Sequence, residues 1–166
     1  ATDEQLRDIG FDVRAIDSLN DARQTFDLDR YVSQVETSGV QVLTWENTSY
    51  PDLLREIPAA PPLIFIRGQF EPIDRWAVAV VGTRRMTAYG RQVTRDLVAG
   101  LVHNGITIVS GLARGIDAIA HRTALEEGGR TIAVMACGID KVYPPEHRDL
   151  ARDIVSGRGV IVTDYP

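Results

Sequence analysis

The sequence has few residues that could form covalent or metal cross-links. Its single cysteine, Cys137, cannot form an internal disulfide and has no second thiol with which to hold a metal. The three histidines, at positions 103, 121 and 147, lack the cysteine or carboxylate spacing of a metal site. We therefore expect no metal, and the cysteine usage favours a reducing, cytoplasmic location.

Long apolar runs are also missing. No stretch approaches the length of a membrane-spanning helix, and the amino-terminal residues are charged, unlike those of a signal peptide. No membrane contact is expected. A length of 166 residues suits one sizeable core with a small appendage.

Two common nucleotide-binding motifs are absent. After the first strongly apolar run, a single glycine precedes bulky residues in Gly82-Thr83-Arg84-Arg85, in place of the G-x-G-x-x-G fingerprint. This disfavours a nicotinamide or flavin dinucleotide. The chain has no glycine-lysine-serine or glycine-lysine-threonine triplet, so machinery for ATP hydrolysis is not visible either. We expect no cofactor.

Charge is unevenly distributed along the chain. The formal net charge is -5, which argues against nonspecific coating of duplex DNA. Acidic residues outnumber basic ones up to Arg75, and the balance reverses slightly from Trp76 onward. A site for a polyanion is therefore expected in the second half.

The second half alternates between strand and helix patterns. Apolar runs without polar alternation indicate strands buried on both faces, at 77–81, 106–109, 131–135 and 160–163. Helical spacing separates them at 93–101, 116–124 and 150–154, each followed by glycine. Strict alternation predicts an α/β fold, a Rossmann-like doubly wound parallel sheet with right-handed crossovers.

The first part of the chain is predicted to be helical. Thr2 and Gln5 fit a capping box, and an amphipathic pattern from 28 to 35 ends before Gly39. Short strands are predicted at 40–45 and 63–67. We expect a helical amino-terminal segment, 1–39, that belongs to a larger helical domain, and a Rossmann-like domain, 40–166.

Loops that follow the predicted strands are the candidate site, because ligands bind outside the carboxyl ends of an open parallel sheet. These loops span 82–85, 110–115, 136–141 and 164–166. Glycine lets a backbone approach an anion closely, arginine offers a fork of donors, and lysine a point charge. The predicted phosphate contacts are Gly82, Thr83, Arg84, Arg85, Ser110, Gly111, Arg114, Gly115, Gly138 and Lys141.

A catalytic interpretation of Ser110, Asp117 and His121 is disfavoured. Ser110 lacks the G-x-S-x-G elbow, and an aspartate four residues before a histidine commonly satisfies a helix surface. His103 and His147 are expected to be solvated.

Four segments, in order along the chain, make the sequence resemble the DNA-processing protein A family, also called Smf. The resemblance covers about 40–166, and the long block from Ser110 to His121 is its most specific part. The segments are Tyr50-Pro51 with Leu53-Leu54 and 62–68; Val80-Val81-Gly82-Thr83-Arg84 with Tyr89-Gly90; 110–117 with Ala120-His121; and Gly138-Ile139-Asp140 with Tyr143-Pro144-Pro145.

The resemblance implies an extended Rossmann fold that binds single-stranded DNA and delivers it to the RecA recombinase in natural transformation, without catalysis. Arg84 matches the arginine of the family's glycine-serine-arginine motif, and Arg114 and Lys141 lie in neighbouring loops. Tyr89 and Tyr143 are candidates for base stacking. The family continues beyond the strand at 160–163, so we expect a carboxy-terminal truncation and a homodimer in the full-length protein.

Two alternatives remain open from the sequence. One is a Rossmann-like enzyme that cleaves nucleotide phosphoribosyl bonds, although its proline-glycine-glycine-x-glycine-threonine hallmark is absent. The other is a non-enzymatic carrier of a small phosphorylated ligand in the same loops.

Overall fold

The computed structural model describes residues 2–157 and 159–165, apart from the side chain of Glu36. Arg158 and Pro166, the last residue of the fourth predicted loop, lie outside the described residues. The chain divides into two compact units, Ala1–Ser38 and Gly39–Pro166. No described helix is both long and apolar enough to cross a membrane.

The first unit consists of three helices. The capping box is confirmed, because the Gln5 amide donates to Thr2 Oγ1 at 3.3 Å and the Thr2 amide donates to Gln5 Oε1 at 2.9 Å. The second helix was not predicted. Ile16 is its one buried residue among those described, so the sequence has no clear apolar periodicity there. The helices are α1 (Asp3–Asp8), α2 (Val13–Thr25) and α3 (Leu28–Thr37).

The second unit is built on a six-stranded sheet of order β1-β2-β6-β5-β4-β3. Strands β3 to β6 are parallel, which confirms the predicted α/β class, whereas β1 pairs antiparallel with β2 and β2 with β6. The strands are β1 (Gln41–Thr44), β2 (Leu63–Gly68), β3 (Ala77–Ala79), β4 (Thr107–Ser110), β5 (Thr131–Val134) and β6 (Gly159–Thr163).

Helices follow the parallel strands and lie side by side on one face of the sheet. Their core contains Val80, Val98 and Ile108. The other face is covered by Tyr50, whose hydroxyl donates to the Pro61 carbonyl at 2.8 Å, and by Leu54. The helices of this unit are α4 (Asp52–Arg55), α5 (Ala88–His103), α6 (Ile116–Glu126) and α7 (Arg148–Val155).

One strand prediction is wrong. The run at 77–81 was expected to be buried on both faces, but β3 is an edge strand, and its three residues are exposed. Val81, just beyond it, is 71% exposed. Among the described residues β3 pairs only with β4, and an apolar run does not reveal how many neighbours its strand will have.

A charged cluster joins the amino-terminal ends of strands β4 and β5 to the segment before β3. Arg130 donates to both carboxylate oxygens of Asp74, at 2.9 and 2.8 Å, and to Glu71 and the Gln69 carbonyl. Thr107 of β4 also donates to Asp74. Burial acts to raise the pKa of Asp74, but hydrogen bonds from Arg130, the Glu71 amide and Thr107 outweigh it and lower this pKa.

We predict that Arg130→Met lowers the free energy of unfolding by about 3 kcal/mol at neutral pH, because it leaves a buried carboxylate unpaired. Urea unfolding, with the exposed Arg122→Met as control, measures this. Since the folded pKa of Asp74 is lowered, its contribution is complete above the ordinary value of 3.8 and is lost as pH falls through the lower folded value. Equal stability of both variants at neutral pH would contradict the role of the cluster.

Candidate nucleic-acid interface

The carboxyl ends of the parallel strands form one edge, and a cleft of about 750 Å³ lies there. The loop after β3 contributes Arg84, the loop after β4 contributes Gly111 and Arg114, and the segment 135–145 after β5 supplies most of the remaining wall. Arg148, the first residue of α7, completes the lining. The loops from three successive strands therefore meet at one site, as the sheet topology requires.

The cleft includes some of the predicted contacts and not others. Tyr143 lines it and is 61% exposed, whereas Tyr89 is 78% exposed but does not line it. Of the ten predicted phosphate contacts, the cleft is lined by Arg84, Gly111, Arg114 and Lys141. The six outside its lining are Gly82, Thr83, Arg85, Ser110, Gly115 and Gly138.

The carboxylate of Asp117, in the first turn of α6, lies where two loop backbones converge. It accepts hydrogen bonds from the amides of Gly82, at 3.4 Å, and Gly111, at 3.1 Å. Asp117 is buried, contrary to the surface pairing expected from the sequence. A carboxylate of the protein itself thus binds two loop amides that the sequence analysis had assigned to a ligand phosphate.

Glycines beside Asp117 allow the loops to approach α6. A Cβ on Gly82 would lie 2.7 Å from Cγ1 of Ile116, and one on Gly115 would collide with the Thr83 carbonyl. Gly115 also has a φ of 82°, which favours glycine. The Ile116 amide donates to the Thr83 carbonyl at 3.2 Å. These glycines therefore serve loop packing and fix the backbone that carries Arg84.

We predict that Asp117→Asn destabilises the fold by about 1–3 kcal/mol, because an amide can accept with only one oxygen and turns two donors toward a loop N–H. Hydrogen exchange should show faster exchange at the amides of Gly82 and Gly111. Asp96→Asn, on the exposed surface of α5, is the matched control. Unchanged protection of both amides would refute this anchoring role.

The disfavoured catalytic triad does not form. Ser110 is buried and donates to the Val80 carbonyl at 2.6 Å. His121 is also buried: the Thr131 hydroxyl donates to the Ile108 carbonyl, so it accepts from His121 Nδ1 at 2.6 Å. This leaves Nε2 of His121 without a partner in the described part of the chain. Burial, reinforced by the nearby His147, lowers the pKa of His121 to about 4.

The other two histidines differ from each other. His147 was expected to be solvated, but it is buried, and its Nδ1 donates to the Leu112 carbonyl at 2.8 Å. That expectation is wrong because the loop after β4 folds over it, with Leu112 in the left-handed region at a φ of 57°. His103 is exposed as expected and contacts Glu127.

We predict that the free energy of unfolding falls as pH drops from 6.5 toward 4, by up to about 3 kcal/mol from His121 alone. In this pH range His121 takes up a proton in the unfolded state but not in the folded state. Protonation therefore stabilises the unfolded state, and the free energy of unfolding falls as the pH is lowered. His121→Gln should flatten this part of the profile measured by urea unfolding, whatever its absolute stability. His103→Gln should leave the slope unchanged; equal slopes for all three proteins would contradict the assignment.

The cations of the cleft are not equally available. Arg114 Nε donates to Glu146 at 2.5 Å, and this bond raises the pKa of Arg114 and lowers that of Glu146. Among the described residues, Arg84, Lys141 and Arg148 have no side-chain ion pair or hydrogen bond. Three free cationic groups therefore face one cleft.

Sequence reasoning missed Arg148 as a site residue. Arg148 stands in the first turn of α7, where the helix dipole disfavours a positive charge. A cation at this unfavourable position was the one feature of the sequence that could have indicated a binding role. Cys137 also lines the cleft, and its thiol donates to the Lys141 carbonyl at 3.5 Å. Within the described ranges, no three histidine, cysteine or acidic side chains are grouped to hold a metal ion.

Comparison with known proteins places the chain in a family. The model of the family described as DNA recombination-mediator protein A matches residues 41–166. The chain belongs to this family. This confirms the resemblance inferred from the four segments, which was placed at about 40–166.

The chain is similar to curated proteins from several bacteria. The protein Smf of Synechocystis is 38% identical over 95% of this chain and 40% of its own length. The DNA processing protein DprA of Bacillus subtilis is 33% identical over 84% of this chain and 47% of its own. The chain thus spans less than half the length of these relatives.

Solved structures of the family share the fold. DNA processing protein A from Streptococcus pneumoniae superposes with a TM-score of 0.72 and 35% identity, covering 84% of this chain and 48% of that one. The protein from Helicobacter pylori gives a TM-score of 0.64 and 34% identity, covering 75% and 56%. The Helicobacter pylori structure concerns the single-stranded DNA binding mode of that protein.

Proposed function

We propose that the cleft at the carboxyl edge of the sheet binds single-stranded DNA. The observation that carries this proposal is the convergence of Arg84, Lys141 and Arg148, none of which has an ion-pair partner among the described residues. Backbone phosphates are the repeated anions that such a row of cations suits, and their binding does not depend on base sequence. Tyr143, exposed at the same cleft, offers a stacking surface.

The residues at this edge of the sheet take three roles in this proposal. Arg84, Lys141 and Arg148 contact phosphates, and Arg114 contributes less because Glu146 already neutralises it. Gly82, Gly111 and Gly115, with Asp117, hold the loops that present these side chains. Ser110 stabilises the strand end from within, by its bond to Val80.

We also propose a biological role for the longer protein. Membership supports the proposal that the longer protein protects incoming single strands and delivers them to the RecA recombinase in natural transformation, in the cytoplasm and as a homodimer. Residues 40–166 would be the DNA-binding domain. A RecA filament-formation assay on coated single strands tests the delivery step.

We infer binding without a bond-breaking step. Asp140 is the one carboxylate in the described lining of the cleft, so a paired acid and base for glycosidic cleavage is not found there. Release of free base from nucleoside monophosphates would instead favour the phosphoribohydrolase alternative. Tight binding of a small phosphorylated compound, with no competition by oligonucleotides, would favour the carrier.

We predict that Arg84→Ala weakens binding of a labelled oligothymidine about tenfold and reduces the slope of log affinity against log salt by about one. Other base compositions should be affected alike, because the contact is to phosphate. Fluorescence anisotropy measures both quantities. Arg114→Ala should cost less, and the distant Arg95→Ala least; an Arg84 variant that binds like wild type would overturn the site.

A further inference from the structure

A second cavity adjoins the cleft on the other side of the loop after β5. It has a volume of about 340 Å³ and lies between α7 and strands β2 and β6. Met135, Val142 and Arg148 line both cavities, so the two share a wall. None of the predicted phosphate contacts lines the second cavity.

The floor of this cavity is apolar and well packed. Ile139, Ala151 and Ile161 are buried residues that face it, and Val155 extends the same surface along α7. An apolar floor suits the face of a nucleobase, and the cavity volume lies within the range of small-ligand sites.

Arginines form the rim. Arg67 of β2, Arg148 and Arg152 all line the cavity, and no carboxylate is among its ten described lining residues. Nε of Arg67 is buried without a hydrogen-bond partner among the described residues. Arg152 contacts Asp149 at 3.0 Å on the exposed surface of α7. The guanidinium of Arg67 has no ion pair or hydrogen bond among the described residues, so its accessible nitrogens, beside the free Arg148, are arranged to bind an oxyanion.

We propose that this second cavity is a separate nucleotide subsite, which takes the base and phosphate that follow those in the cleft, with Arg148 at the junction. The proposal rests on the proposed function, because it extends the path of the same single strand. Arg67 and Arg148 hold the phosphate, and the base lies on Ile139 and Ile161.

Length dependence separates this subsite from the cleft. A short oligothymidine, about three nucleotides, fills the cleft alone, whereas one of about ten nucleotides also reaches the second cavity. Arg67→Met keeps the aliphatic stem and removes the guanidinium. It should weaken binding of the long oligonucleotide about fivefold, lower its salt slope by about one, and leave the short one unchanged.

A second variant tests the subsite independently, in case Arg67→Met does not fold. Ser156→Glu places a carboxylate at the exposed mouth of the cavity without touching its floor, and should reproduce the same length-dependent loss. Arg95→Met on α5 is the control, since it changes the net charge by the same amount. Thermal unfolding of each variant reports its fold.

The outcomes distinguish the two proposals. If Arg84→Ala weakens binding of both lengths while Arg67→Met and Ser156→Glu match the control, the subsite is overturned and the cleft stands. If Arg67→Met weakens short and long oligonucleotides equally, the effect is general and the subsite is likewise overturned. If no variant weakens binding, the proposed function itself fails.

Discussion

The hydrogen bonds between the Asp117 carboxylate and the amides of Gly82 and Gly111 organise this edge of the molecule. They join the loop after β3, the loop after β4 and the first turn of α6 through one buried side chain. Because the anchored backbone leads directly into Arg84, the direction of that arginine depends on the same bonds. The bare backbone of Gly115 makes the close approach possible.

An internal carboxylate at this point changes how the site can recognise an anion. In dinucleotide-binding folds, free loop amides and a helix amino terminus bind the phosphate. Here the carboxylate occupies the amides of Gly82 and Gly111, so in the proposed function the side chains of Arg84, Lys141 and Arg148 recognise the phosphates. Side chains spread along a cleft suit a series of phosphates better than one, which is why we favour a polynucleotide over a mononucleotide.

The candidate site was predictable in part. Loops after parallel strands meet at one edge in any such sheet, so Arg84, Gly111, Arg114 and Lys141 could be grouped from their positions alone. Ser110 was predicted as a phosphate contact, but its side chain is buried and donates to the Val80 carbonyl. The sequence does not show whether a side chain at a strand end faces the ligand or the helix layer. Arg148 was missed because it begins a helix and does not directly follow a strand.

By itself, the sequence determined the α/β class, the parallel order of alternating elements and the family, since these follow from local periodicity and contiguous motifs. Tertiary structure alone decided that β3 is an edge strand, that His121 and His147 are buried, and that Glu146 neutralises Arg114. It also decided that Arg67 and Arg148 meet around a second cavity. Burial and charge pairing depend on residues far apart in the chain, and no local pattern encodes which of them will be neighbours.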